Sequence, residues 1–197
     1  TEKWQRDYVK KMMGRLVFLQ FLQKKGWMGV PADRDDWVGG DSQYMQHLIQ
    51  RYEKNDRLLS DILEPLFFKT LNKPRIGDVA NKILGKNIKI PYLNGGLFDK
   101  DSIDKENIDF PYDYFADLMD FFSQYNFTID ENDPYDIEVG IDPEMLGHIF
   151  ENLLEDNKDK GAFYTPKEIV QFMSRESIIQ YLKGHTKENI HNAIELL

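Results

Sequence analysis

The chain has 197 residues and a formal charge of −9, with 13 Phe, 10 Tyr and 3 Trp set against 30% charged residues. That length buries a sizeable core in one or two domains, and the aromatic content argues against disorder. The absence of cysteine excludes disulfides and thiolate metal sites, and no uninterrupted apolar run approaches the ~20 residues of a membrane span.

Trp4 to Lys25 reads as one long helix. Trp4, Tyr8, Met12, Leu16 and Leu19 recur at helical spacing, and Val9, Met13, Val17 and Phe18 widen the stripe. Arg6, Lys10, Lys11 and Arg15 share a second face, which reads as the solvated side of a core helix in preference to a phosphate-facing ridge. Gly26, after Lys24 and Lys25, is a C-terminal stop. Residues 27–40 read as a loop. Helices follow over 42–53 and 56–71, and Pro65 is expected to kink or divide the second. His47 has no acidic or histidine partner at ligand spacing and reads as packing or surface.

Residues 72–100 read as irregular and basic, with a short helix over 78–84, a strand over 88–90 and a turn at Asn94-Gly95-Gly96. That glycine turn lacks the Lys-Ser/Thr ending of a phosphate-cradling P-loop. Charge is segregated along the chain: residues 1–30 sum to +5 and 71–100 to +4, whereas 101–157 hold seventeen acidic side chains and one basic. A block of that sign repels a phosphate backbone and should point away from nucleic acid. Within it a helix is expected over 111–125, with Tyr114, Phe115, Leu118, Met119 and Phe122 as its apolar face. A short strand over 127–129 would pair with the Ile88 or Ile108 segment. Asp142 caps a further helix over 143–155, where Gly147 marks a close backbone approach, and residues 155–160 form a charged tether. His148 reads as surface or packing, and His185 and His191 fall on different helical faces, poor spacing for one metal.

Gly161-Ala162-Phe163-Tyr164-Thr165-Pro166 reads as a glycine-hinged aromatic loop entering a helix. Thr165 suits the N-cap, Pro166 the first helical position, and Glu168 completes a capping box. Ile169, Val170, Phe172, Met173, Ile178, Ile179 and Leu182 should give that helix one buried side. Gly184 ends the pattern, and Thr186 caps a last helix running to Leu197. The fold class expected is mainly α, a helical bundle-like domain with a few short strands.

The 161–166 stretch resembles the motif that opens the methyltransferase domain of adenine-N6 DNA methylases in fused restriction–modification enzymes. Ile90-Pro91-Tyr92-Leu93-Asn94-Gly95-Gly96-Leu97-Phe98 and the 142–154 stretch resemble the helical region just upstream in that family. With Leu16 to Trp27 the likeness spans most of the chain in one order, and the family is named as type IIG/IIL restriction–modification enzymes.

The resemblance implies a helical connector over 1–157 and the first edge of an S-adenosylmethionine-dependent methyltransferase domain over 158–197. Phe163, Tyr164, Thr165 and Pro166 would line the cofactor. Free N–H groups at the helix start suit its carboxylate, and the two aromatics offer it flat apolar surface. It also implies a parent enzyme acting on double-stranded DNA, with downstream methylase and target-recognition domains and an upstream nuclease. Asn132-Asp133-Pro134-Tyr135 is not taken as the catalytic Asn-Pro-Pro-Tyr, because Asp133 replaces the first proline and the tetrapeptide precedes the opening motif. A chain opening at Thr1 rather than Met leads us to expect a piece of a longer soluble, cytoplasmic protein, itself inactive. The alternative is a non-catalytic helical module that positions DNA through residues 1–30 and 71–100, or that serves protein interaction.

Overall fold

A computed structural model describes residues 2–52, 55–93, 96–106, 108–125, 127 and 165–185. The chain divides into two units, Thr1–Pro143 and Glu144–Leu197. The architecture is mainly helical, as expected.

In the first unit the long helix is present as α1, Glu2–Lys24. Tyr8, Met12, Leu16, Val17, Leu19 and Leu22 are buried along it. Gly26 ends it with φ +75°: its N–H bonds the Gln23 carbonyl at 2.9 Å and that of Trp27 bonds the Leu22 carbonyl at 3.1 Å. This paired closure satisfies carbonyls that the last turn leaves open, and only glycine takes that φ without cost. Gly40 lies against the same corner. A Cβ there would sit 2.1 Å from the Gly26 carbonyl oxygen and 2.8 Å from that of Met28, so the two backbones touch.

Val30–Pro31 (β1) pairs antiparallel with Ile88–Lys89 (β2). This corrects the sequence reading of 27–40, which is not all loop, and gives the strand expected at 88–90 Val30–Pro31 as a neighbour. Of the strand expected over 127–129, Phe127 alone is described, buried and outside any strand. A two-residue pair is too short to show the alternation that announces a strand.

α2 spans Tyr44–Arg51 and buries Tyr44, Met45, Leu48 and Ile49. Next come Leu59–Leu63 and Pro65–Leu71, both wound as π-helix, with Glu64 between them in ordinary helical conformation (φ −62°, ψ −45°). Pro65 therefore neither breaks nor divides the segment. The wider winding runs through a residue that donates no bond and is held on either side of it, by Glu64 N–H to the Leu59 carbonyl and by Asn72 N–H to the Phe67 carbonyl (3.1 Å). Leu66, Phe67, Phe68 and Leu71 are buried here.

No helix forms over 78–84. A 3-10 turn at Ile76–Asp78 carries φ of +61° at Gly77 and +54° at Asp78, which no α-helix accommodates. Further 3-10 turns occur at Gly96–Phe98 and Ile103–Lys105. α3, Tyr112–Ser123, buries Tyr112, Phe115, Met119 and Phe122. Tyr114, expected on that face, is 65% exposed.

The core sits between α1, α2, the 59–71 segment and α3. A buried amide chain ties three of them: Gln23 Nε2 reaches Gln20 Oε1 at 2.7 Å, the Met45 N–H donates to Gln23 Oε1 at 2.9 Å, and Gln20 Nε2 faces Met119 Sδ at 3.6 Å. Satisfied networks of this kind fix one register among otherwise interchangeable apolar contacts. In the second unit the described helix is α4, Lys167–His185. The expected helix over 143–155 and the last helix to Leu197 lie outside the described residues.

Candidate functional site

Phe163 and Tyr164 lie outside the described residues. Thr165 and Pro166 are both exposed, ahead of α4. The helix starts one residue later than expected: the Pro166 carbonyl accepts from the N–H of Ile169 (3.0 Å) and of Val170 (3.1 Å), so Pro166 is the capping residue and Lys167 the first helical one. Glu168 sits in that first turn, where a carboxylate is favoured. The expected buried side of α4 is not buried. Ile169, Val170, Met173 and Ile178 stand about half exposed and Phe172 is 66% exposed, while Ile179 is buried. An open hollow runs along the Glu168, Phe172, Arg175 and Ile179 face.

The strongest electrostatic feature of the first unit is one the sequence reading misplaced. Arg15, assigned to a solvated basic face, is 1% exposed. Its Nη1 and Nη2 form a two-point clasp with Asp104, at 2.6 and 2.8 Å. Nε donates to the Leu97 carbonyl at 3.0 Å and Nη2 to that of Asp99 at 3.1 Å. The guanidinium also lies 5.0 Å from the Phe68 ring centre. Lys11, on the same supposed face, bonds Asp101 and stands 3.3 Å from Asp104 Oδ2.

Burial alone would raise the Asp104 carboxyl, but the hydrogen bond and charge of Arg15, with Lys11 behind it, outweigh burial and hold it at about 2. The Leu97-Phe98 end of the 90–98 stretch thus wraps a buried ion pair, and Phe98 packs on Phe18 and Phe67. A signal for this was available: Tyr8, Met12, Arg15, Leu19 and Leu22 fall at alternating spacings of four and three, which places Arg15 on the buried stripe.

His47 lies on the surface, one of the two readings given for it, and meets one carboxylate. Its Nδ1 is 2.7 Å from Asp41 Oδ2, six residues upstream, and both side chains are well exposed. Among the described residues no group of three or more His, Cys, Asp or Glu side chains is placed to hold a metal.

Two other cations expected on a basic surface are internal. Arg75 directs its donors at the carbonyls of Thr70, Lys73, Asp78, Val79 and Ile90, with 2.6 Å to Ile90. Burial lowers its pKa and Asp78 opposes that shift. Lys89 is buried, donates to the Arg34 carbonyl at 2.7 Å and lies 4.6 Å from the Trp37 ring centre. What remains open is a cleft of about 300 Å³ bordered by Lys69, Lys73, Lys100, Asn72, Ser60 and Glu64.

Comparison with known proteins gives one full-length likeness. The chain is 29% identical, over 204 aligned positions covering 98% of its length, to a Methanocaldococcus jannaschii protein provisionally named as a type II restriction enzyme and methyltransferase. The aligned part is 16% of that protein, so the chain spans about one-sixth of its relative. No protein-family model matches the chain, and no solved structure matches it. Among the described residues no helix is long and apolar enough to cross a membrane.

Proposed function

We infer that the chain is a helical segment of a restriction–modification enzyme whose whole protein transfers a methyl group from S-adenosylmethionine to the N6 of adenine in double-stranded DNA and also cleaves DNA. The observation that carries this reading is the alignment of 98% of the chain with a protein named for both restriction and methyl transfer. The ordered motifs at 90–98, 142–154 and 161–166 supply the finer assignment to adenine and to the fused type. On this reading residues 1–157 link a nuclease to the methylase, and 158–197 begin the methylase domain.

The cofactor would supply an electrophilic methyl group. This chain's part would be to hold it: Phe163 and Tyr164 by flat contact, Thr165 and Pro166 by shaping the elbow, and the first turn of α4 by directing N–H groups at a carboxylate. The described end of that elbow fits the role in two respects, since Thr165 and Pro166 are exposed and the first α4 residues precede the first intrahelical donor, Ile169. Glu168 would compete for the same positive helix end. The sequence carries no Asn-Pro-Pro-aromatic, and catalysis is assigned to other parts of the parent.

The test is a methyl-transfer assay on the full parent protein with labelled S-adenosylmethionine and duplex DNA, followed by nucleoside analysis. N6-methyladenine in the product, reduced by Tyr164→Ala, is expected. Label on cytosine, or none with folded protein, overturns the assignment. The 197-residue chain alone should not bind S-adenosylmethionine at micromolar affinity.

A further inference from the structure

We propose that the cationic face running from the Lys69–Lys73–Lys100 cleft to the loop stapled by Arg75 is a contact surface for the phosphate backbone of duplex DNA. Ile76 is its apolar contact with the groove. The proposal rests on DNA being the parent's substrate and adds where this segment touches it.

Four observations converge. Residues 69–90 contain six basic side chains and one acid, Asp78, in a chain whose overall charge is −9. Arg75 and Lys89 are held by backbone carbonyls, but Lys69, Lys73, Lys82 and Lys86 are exposed and form no ion pair among the described residues. Lys69 and Lys73 border the cleft with Lys100, which lies 3.5 Å from Glu64 Oε2 and 5.1 Å from the Phe68 ring centre. The carboxylates in reach are few and engaged. Glu64 meets Lys100, Asp78 stands 4.0 Å from Arg75, and Asp109 accepts from the N–H and hydroxyl of Ser60, which lines the cleft. Lys69 and Lys73, four residues apart at the cleft and in no ion pair among the described residues, repel each other in the free protein, and an anion relieves that cost.

The loop is also stiff. Arg75 fastens it to five carbonyls, and the backbone bonds Ala80 to Ile88 (2.9 Å) and Ile90 to Asp78 (3.1 Å) close it from the other side. Two successive positive-φ residues, Gly77 and Asp78, turn its tip. At that tip Ile76 is 98% exposed, with Val79 and Ile83 about half exposed on the same stretch. A pre-formed tip with an apolar end among free lysines suits a duplex, where cations neutralise phosphates and an aliphatic side chain meets sugars or base edges in the groove.

Fluorescence anisotropy of a short labelled duplex with the 197-residue chain, across a salt series, tests this. Lys69→Glu/Lys73→Glu and Lys82→Glu/Lys86→Glu are each expected to weaken binding about tenfold or more at low salt. Lys69→Ala/Lys73→Ala should lower the slope of log K against log salt by about 1.8, the value for two lost phosphate contacts. Ile76→Ser should weaken binding without changing that slope, because an apolar contact releases no counterion. Lys10→Glu/Lys105→Glu is the charge-matched control, and circular dichroism verifies that each variant is folded.

Equal weakening by the control, or no duplex binding by folded wild type at low salt, overturns the proposal. So does displacement by micromolar free nucleotide, which would mark a nucleotide pocket. Adenine methylation by the parent together with unaltered duplex binding by Lys69→Glu/Lys73→Glu would sink this surface and leave the enzyme assignment standing.

Discussion

Replacing Asp104 with asparagine should cost the first unit about 3 kcal/mol, a large share of the 5–15 kcal/mol typical of a folded domain. The substitution keeps the shape of the side chain and removes its charge, leaving Arg15 buried without a counter-ion. The cost sits at the low end of the range for broken buried pairs, because Arg15 keeps the Leu97 and Asp99 carbonyls and the Phe68 ring. A second route to the same quantity is acid. Asp104 has a carboxyl held at about 2 against an ordinary 3.8, so its ionised form stabilises the fold fully above the unfolded value and loses that effect as pH falls through the folded one. The shift corresponds to about 2 kcal/mol, of which about half is gone near pH 3. Urea denaturation of wild type and Asp104→Asn near pH 7, 5 and 3 measures both. The difference between the two proteins should shrink by about 1 kcal/mol between pH 5 and pH 3. A loss under about 1 kcal/mol at neutral pH, or a difference that does not change with acid, would refute the account of this ion pair.

Gly40→Ala places a methyl group against the Gly26 and Met28 backbones, neither of which is a side chain able to swing aside. A loss of about 2–4 kcal/mol, read as a lowered thermal midpoint, is expected. Arg75→Gln removes donors from carbonyls that keep few other partners, and should cost about 2 kcal/mol. Its local signature is faster amide hydrogen exchange at Ala80 and Ile90 with α1 amides unchanged, whereas uniform acceleration would show that the staple is a general determinant of stability.

The parts of this fold legible in the sequence are those with a long period or a strong stop. α1 and α3 follow from apolar residues recurring every three or four positions over many turns, and Gly26 marks its boundary because one conformation there nearly requires glycine. The π-winding around Pro65 was hidden, since the sequence carries the cause but not the remedy that neighbouring apolar contacts make affordable. The β1–β2 pair was hidden because two residues have no pattern. The 78–84 segment misled because Val79, Ile83 and Leu84 fall at helical spacing while Gly77 and Asp78, just upstream, turn the chain the other way. For the candidate cofactor elbow, the α4 start was legible to within one residue. The apolar residues of α4 promised one buried side, but periodicity alone does not say what covers a face, and Ile169, Val170 and Phe172 stand open while Ile179 is buried.

Charge is where counting and structure part most clearly. By sequence, residues 1–30 and 71–100 look equivalent, at +5 and +4. In the fold they are not. The first helix turns Arg15 and Lys11 inward to Asp104 and Asp101, so part of its positive charge is cancelled by the acidic block that the sequence places at a distance. The second segment half-buries Arg75, against carbonyls with Asp78 4.0 Å away, and buries Lys89 against a neutral carbonyl that leaves its charge uncancelled, while it keeps Lys69, Lys73, Lys82 and Lys86 exposed. A polyanion approaching the molecule is drawn to charge that is both exposed and unpaired. By that measure the 69–100 face is the better site for a phosphate backbone, and reversing Lys10 should matter less than reversing Lys73.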